Sequence, residues 1–164
     1  MNSSTVSSWD DFLLELKKHP GHTYSLLDRS SESRISEAER DMGKLPSPVR
    51  GMLEHFNGAE LFISSGPSLT LFGLSTSPLP SEFEWAPTWY IDFMTPEWRA
   101  NGERADQWAI GMTNYGGLLI VDAGGEFGEW DTNEGSWISR KVPFEMWLRA
   151  TLRDGEVFLS EAEQ

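Results

Sequence analysis

The order of apolar patterns in this chain predicts an α+β domain, with N-terminal helices and a C-terminal helix packed against one mainly antiparallel sheet. Three observations carry the prediction. Residues 35–58, ISEAERDMGKLPSPVRGMLEHFNG, alternate helix starts with helix stops. Leu118, Leu119, Ile120 and Val121 form a continuous apolar run between Gly116-Gly117 and Gly124-Gly125. Phe144, Trp147, Leu148 and Leu152 recur at helical spacing near the end of the chain. At 164 residues the chain fits a single domain, residues 1–164. A chain of that size buries about two thirds of its unfolded surface and needs no covalent staple.

The first helix starts at Ser8, whose hydroxyl can cap it. Trp9, Phe12, Leu13 and Leu16 make its apolar stripe, and Pro20-Gly21 ends it. Asp10 and Asp11 in its first turn, and Lys17, Lys18 and His19 in its last, complement the helix dipole. Residues 30–36 read as a polar loop. Ser36 with Glu39 then reads as a capping box for a second helix, stopped by Gly43 and by Leu45-Pro46. Ser47-Pro48 restarts the helix, with Ser as the cap and Pro at the first helical position. Val49, Met52, Leu53 and Phe56 share one face of it, and Asn57-Gly58 ends it.

Residues 59–64 and 69–74 read as strands joined through Ser65-Gly66-Pro67, and residues 75–81 as a Pro/Ser loop. In residues 82–106, Pro87 and Pro96 limit any helix among Trp85, Trp89, Tyr90, Phe93 and Trp98. Residues 107–122 and 126–138 supply further strands. Trp108, Ile110 and Met112 alternate, as in a strand with one covered face. The run from Leu118 to Val121 predicts a central strand buried on both faces. Glu126 and Glu129 then point to opposite faces and Glu129 and Asp131 to the same one, unless Gly128 marks a bulge. Short glycine turns favour antiparallel pairing. Pro143 leads into a final helix closing at Asp154-Gly155, and residues 159–164 read as a frayed acidic tail.

Charge excludes some function classes. The net charge is −13, with 26 acids against 13 Lys and Arg. Residues 58–164 carry net −11, and from Ala105 to Ser139 there are 6 acids and no Lys or Arg. Such a field repels nucleic-acid phosphates and attracts a basic surface. It also serves solubility alone. No apolar run approaches the about 20 residues of a membrane span, and MNSSTVSSWDD lacks the features of a secretory signal. With no Cys, there is no thiolate chemistry, and a reducing cytoplasm is the expected compartment.

Catalytic constellations are weak. The three His, at 19, 22 and 55, sit at helix ends or in a loop and read as structural. Asp122-Ala-Gly-Gly-Glu126 lacks the ligand spacing of a calcium loop, and no zinc pattern occurs, so no metal or cofactor is expected. Neither Gly-Gly pair opens a phosphate-binding helix. The eight Trp offer sugar-stacking platforms, with Glu126 and Glu129 as carboxylates. Trp9, Trp108 and Trp147 lie on apolar stripes and read as core. What remains is an acidic, aromatic hairpin: Asp122, Glu126, Glu129, Asp131 and Glu134 interleaved with Trp130 and Trp137 and preceded by Tyr115. Carboxylates paired with Lys or Arg, and aromatics of low conformational entropy, are the parts of a protein-binding surface. The bland alternative is a solvated acidic hairpin with an aromatic underside.

The pattern Ile35-x-x-x-Glu39, Gly43, Leu45-Pro46, apolar helix, Asn57-Gly58 resembles the opening of the SUKH superfamily. That family holds a yeast cell-wall synthesis regulator and many bacterial immunity proteins that neutralise secreted toxins. Residues 67–74, ending in an apolar-Gly pair, are similar to its short strand. Residues 108–112, 118–122 and 126–131 are similar to its later strands, and residues 144–148 to its closing helix. The resemblance spans residues 35–152; the first helix and residues 75–106 lie outside its pattern. It implies a cytoplasmic, non-enzymatic immunity protein that occludes a cognate polymorphic or contact-dependent toxin without turnover or cofactor. Two other readings stay open: a regulatory interaction module of the cell-wall-regulator type, and a Trp-rich carbohydrate-binding or glycoside-hydrolysing domain.

Overall fold

Short strands sit among helices in the first half of the chain and longer strands run together in the second, in an order that leaves every strand beside its predecessor. The computed structural model describes residues 6–18, 24–63, 68–75, 90–102 and 104–162, with side chains through Gly155. The elements are α1 (Trp9–Lys18), β1 (Tyr24–Leu26), α2 (Glu32–Met42), α3 (Ser47–His55), β2 (Ala59–Leu61), β3 (Leu69–Leu71), α4 (Ile91–Arg99), β4 (Gln107–Thr113), β5 (Gly117–Asp122), β6 (Phe127–Asp131), β7 (Ser136–Val142) and α5 (Phe144–Ala162). The strands form one seven-stranded sheet in the order β1 to β7, each pair antiparallel. The expected α+β arrangement is therefore present. None of the described helices is long and apolar enough to cross a membrane.

The continuous apolar run sits where predicted. β5 lies between β4 and β6, and Leu118, Leu119, Ile120 and Val121 are all buried. Its register with β6 pairs Leu119 with Glu129 and Val121 with Phe127, which places these four on one face. Leu118, Ile120, Gly128 and Trp130 share the other.

The first face is covered by helices. Phe127 stacks on Trp147 of α5, with ring centroids 4.5 Å apart. Trp9 of α1 meets Phe12, Phe56, Phe144 and Trp147, so α1, α3 and α5 join over the sheet through one indole. Its Nε1 donates to the Pro48 carbonyl at 2.8 Å. Val49, Met52, Leu53 and Phe56 are essentially fully buried, as their helical spacing predicts. His55 Nδ1 lies 2.7 Å from the Gly51 carbonyl and its Nε2 lies 2.8 Å from Asp10 of α1. The Gly51 contact, and then Asp10, hold its pKa above the ordinary value. The other face carries Trp98 of α4 against Trp130 and Trp137. α4 also stands beside the N-terminal half of β4, which β3 leaves unpaired: the Ala109 N–H donates to Thr95 Oγ1 at 3.1 Å.

Several local expectations are corrected. α2 begins earlier than Ser36: Ser31 is its cap and accepts from the Arg34 N–H. Glu39 is free of a capping box and reaches forward instead, accepting from the Leu45 N–H at 3.0 Å and pairing with Arg50 at 2.5 Å. It thereby braces the elbow between α2 and α3. Gly43 does end α2, at φ 99°. α3 starts one residue earlier than predicted, with Pro46 at the cap and Pro48 inside the first turn. Pro96 lies inside α4 rather than limiting it. β1 was not legible in the sequence. α5 does not close at Asp154-Gly155 but continues to Ala162, so the expected frayed tail is largely helical. Pro20-Gly21, His19, His22, the turn at 65–67, Pro87, Trp85 and Trp89 lie outside the described residues.

Asn57 and Gly73 explain each other. Asn57 is buried, and its side chain donates to the Leu74 carbonyl at 3.0 Å and accepts from the Leu74 N–H at 2.7 Å. Ser30 donates to the same oxygen at 2.7 Å. A Cβ on Gly73 would come within 2.5 Å of the Asn57 carbonyl carbon and Oδ1. The Asn-Gly and apolar-Gly motifs are thus two sides of one close approach that pins the end of α3 to the residues after β3.

A candidate binding cleft

Two turns meet at one end of the sheet. The β4–β5 turn is closed by Thr113, whose Oγ1 accepts from the Gly117 N–H at 2.8 Å. The β6–β7 turn is closed by Asp131, whose Oδ1 accepts from the N–H groups of Asn133 and Glu134 at 2.9 and 3.1 Å. Thr132 ties the turns together, donating to the Gly116 carbonyl from both its N–H and its hydroxyl. Tyr115 projects from this end with 58 % of its surface exposed, and Glu134, in the other turn, is exposed too.

At the opposite end, Asp122 repeats the role of Asp131. Its Oδ1 accepts from the Glu126 N–H at 3.0 Å, and its carbonyl accepts from the Gly125 N–H. Short carboxylates that bond the backbone a few residues on are turn formers. The eight residues grouped by sequence therefore separate. Tyr115, Glu129, Asp131 and Glu134 belong to one end of the sheet, whereas Asp122 and Glu126 belong to the other.

Trp130 and Trp137 occupy the face opposite Glu129. They pack edge to face at 5.2 Å, with Trp98 completing the cluster. Trp137 lies over Gly128, where a Cβ would stand 2.9 Å from its ring. The register between β6 and β7 shifts on both sides of Glu129, but the extra residues lie in β7; β6 keeps its regular alternation against β5, so Gly128 marks no bulge. Arg104 lies over Trp98 and Trp130, and Arg140 over Trp137. These are the two cations just outside the acid-only segment. Their guanidinium planes occupy the ring faces that sugar stacking would use.

Glu129 points the other way, into a cleft of about 740 Å³ between α5 and the sheet. Phe62, Leu69, Leu119, Val142 and Trp147 supply its apolar walls, and Thr113, Tyr115, Glu129 and Asp154 its polar ones. Gly117 makes room for the carboxyl: a Cβ there would stand 2.8 Å from Glu129 Cδ and from Thr113 Oγ1. Glu129 Oε2 is buried without a hydrogen-bond partner. Burial raises the Glu129 pKa above the usual carboxylate range; a hydrogen bond with Tyr115 opposes this and the charge of Asp131 adds to it. Burial and the charge of Glu129 likewise raise the Tyr115 pKa.

Phe62 shapes the far wall. It is a buried non-glycine residue at φ 57°, a costly conformation. Its ring lies against Gly155 of α5, where a Cβ would stand 2.7 Å from two ring carbons and closer to a third. Phe62, Thr113 and Trp147 line the cleft with Glu129 but are not legible as its neighbours in the sequence, because contacts between the residue after β2, β4, β6 and α5 leave no local pattern. Among the described residues no group of three or more His, Asp or Glu is arranged to hold a metal ion. No family model matches this chain, and neither does a curated protein.

Proposed function

We propose that this chain is a non-enzymatic binding domain, an immunity protein of the SUKH kind that occludes a cognate toxin domain with a basic surface. It would act in the cytoplasm, without cofactor or turnover. One observation carries the reading: the two interlocked turns present an exposed aromatic, Tyr115, at the same end of the sheet as Asp131 and Glu134. The chain from Ala105 to Ser139 holds no Lys or Arg to neutralise that end. An aromatic anchor ringed by carboxylates suits a Lys- or Arg-rich partner, and its charges steer the encounter.

The test uses a toxin domain encoded beside the gene for this chain. Glu134→Lys should slow association, most strongly at low salt, because an exposed charge acts through the long-range field. Tyr115→Ala should hasten dissociation, because a contact residue acts on the lifetime of the complex. Glu126→Lys, at the other end of the sheet, should leave dissociation unchanged. If Tyr115→Ala left both rates as they were, this end of the sheet would not be the interface.

A further inference from the structure

The cleft beneath α5 has a use that goes beyond the surface just described. Its volume, about 740 Å³, lies in the range of small-molecule sites. Its walls are mostly apolar, and its polar groups converge on one carboxyl. That carboxyl has Asp131 as a charged neighbour, and Asp154 lines the same cleft. No Lys, Arg or His is among the described lining residues. One carboxylate oxygen is buried and makes no hydrogen bond. A buried carboxylate normally has a cation or several donors to offset its lost hydration. Here the missing partner is a positive donor, and the mostly apolar lining, with Val142 and Trp147 only partly buried, favours one carried on an apolar body.

We propose that the cleft binds an organic cation, an ammonium or guanidinium group carried on an apolar stem, with the charged head at Glu129 and the stem along Leu119 and Trp147. The Trp147 and Tyr115 rings offer further favourable contact to such a head. Gly117 is the enabling residue, since any side chain there would displace the carboxyl from its place over the sheet. The same chemistry has two sources: a free amine, or the Lys or Arg side chain of a partner protein. The inference stands whether or not the partner of the preceding section is found.

The probe is n-hexylammonium, titrated into the intact chain and followed by amide chemical shifts and calorimetry, with n-hexanol as its neutral counterpart. Hexylammonium should shift the amides of Thr113, Leu119 and Glu129. Hexanol should bind about tenfold more weakly or worse, as expected when a hydrogen bond to a charged group is lost. Glu129→Gln should reduce hexylammonium affinity by a similar factor while leaving hexanol binding unchanged. Glu97→Gln, on α4 and away from the cleft, should change neither. Thermal unfolding of each variant establishes that it is folded. Equal binding of hexanol and hexylammonium, binding that survives Glu129→Gln, or no binding of hexylammonium would each overturn the proposal. N-acetyl-lysine methylamide separates the sources. Binding as tight as that of butylammonium indicates a partner side chain, and its exclusion indicates a free amine.

Discussion

Gly155→Ala tests the helix–sheet contact in which a general rule and a local one give opposite signs. Gly155 lies inside α5, where Ala is favoured over Gly by about 1 kcal/mol. The substitution should then stabilise the protein. The structure argues otherwise. The new methyl carbon would stand 2.7 Å from Phe62 Cδ1 and Cζ and closer to Cε1. Carbon atoms in contact sit about 3.5–4.0 Å apart, so the ring or the helix must retreat by roughly 1 Å. The ring has little freedom to do so: Phe62 is 3 % exposed and its backbone is held at φ 57°. Overpacking of this kind costs about 1–3 kcal/mol, and such a close approach belongs in the upper half of that range. The net expectation is a loss of about 1–2 kcal/mol, or roughly 2–8 °C in Tm for a chain of this length. Urea unfolding followed by far-UV circular dichroism measures it. The same substitution in a Phe62→Ala background isolates the cause, because without the ring only the helix preference remains. There Gly155→Ala should stabilise by up to about 1 kcal/mol. A single variant as stable as the parent would refute the account of the contact.

Two further outcomes follow from burial and charge. Leu53→Ala should cost about 2–5 kcal/mol in urea unfolding, since Leu53 is fully buried on the apolar face of α3 and its loss leaves a cavity; an unchanged midpoint would show the site collapsing without penalty. Glu129→Gln should stabilise the protein at pH 8 and much less at pH 4. The folded chain holds the Glu129 proton more readily than the unfolded chain, so this group's favourable contribution is full below the ordinary Glu range and is lost as pH rises through its raised folded value. A variant advantage that did not grow with pH would mean that Glu129 finds a cationic partner in solution.

Periodicity and turn chemistry made the framework readable. The stripe Val49, Met52, Leu53, Phe56 and the run from Leu118 to Val121 are local patterns whose burial is decided by neighbours three or four residues away, or by strand pairing across a short turn. Errors arose where a side chain had a distant employer. Glu39 matched a cap by spacing, but Leu45 and Arg50 hold it. Gly155 matched a stop signal, but it is small because of Phe62, 93 positions earlier in the chain. Pro96 is tolerated because α4 is anchored by its neighbours: Arg34 binds Asp92 at 2.9 Å, and Arg99 donates to the carbonyls of Gln107 and Met42. The candidate site was half legible. Composition marked the acidic hairpin, yet only the register separates its two ends and sends Glu129 and Trp130 to opposite faces. By sequence Asp122 and Asp131 are candidates for partner binding, while in the fold each commits one oxygen to the turn that it begins.

The irregular pairing of β7 has a consequence for what the molecule avoids. Among the described residues β1 and β7 do not pair with each other, so the sheet is open, and its last strand offers seven residues of edge, most of them exposed. A flat, regular edge of that length is a template for strand addition by another chain. Here the two register shifts against β6 bend the ladder, and Lys141 sits at φ 55°, outside any extended geometry. Arg140 and Lys141 also place adjacent positive charges on that edge, so that an identical strand approaching it meets its own charge. The opposite edge, β1, is guarded by brevity, at three residues. The bulges of β7 therefore make the longer edge of this sheet a poor template for a further strand.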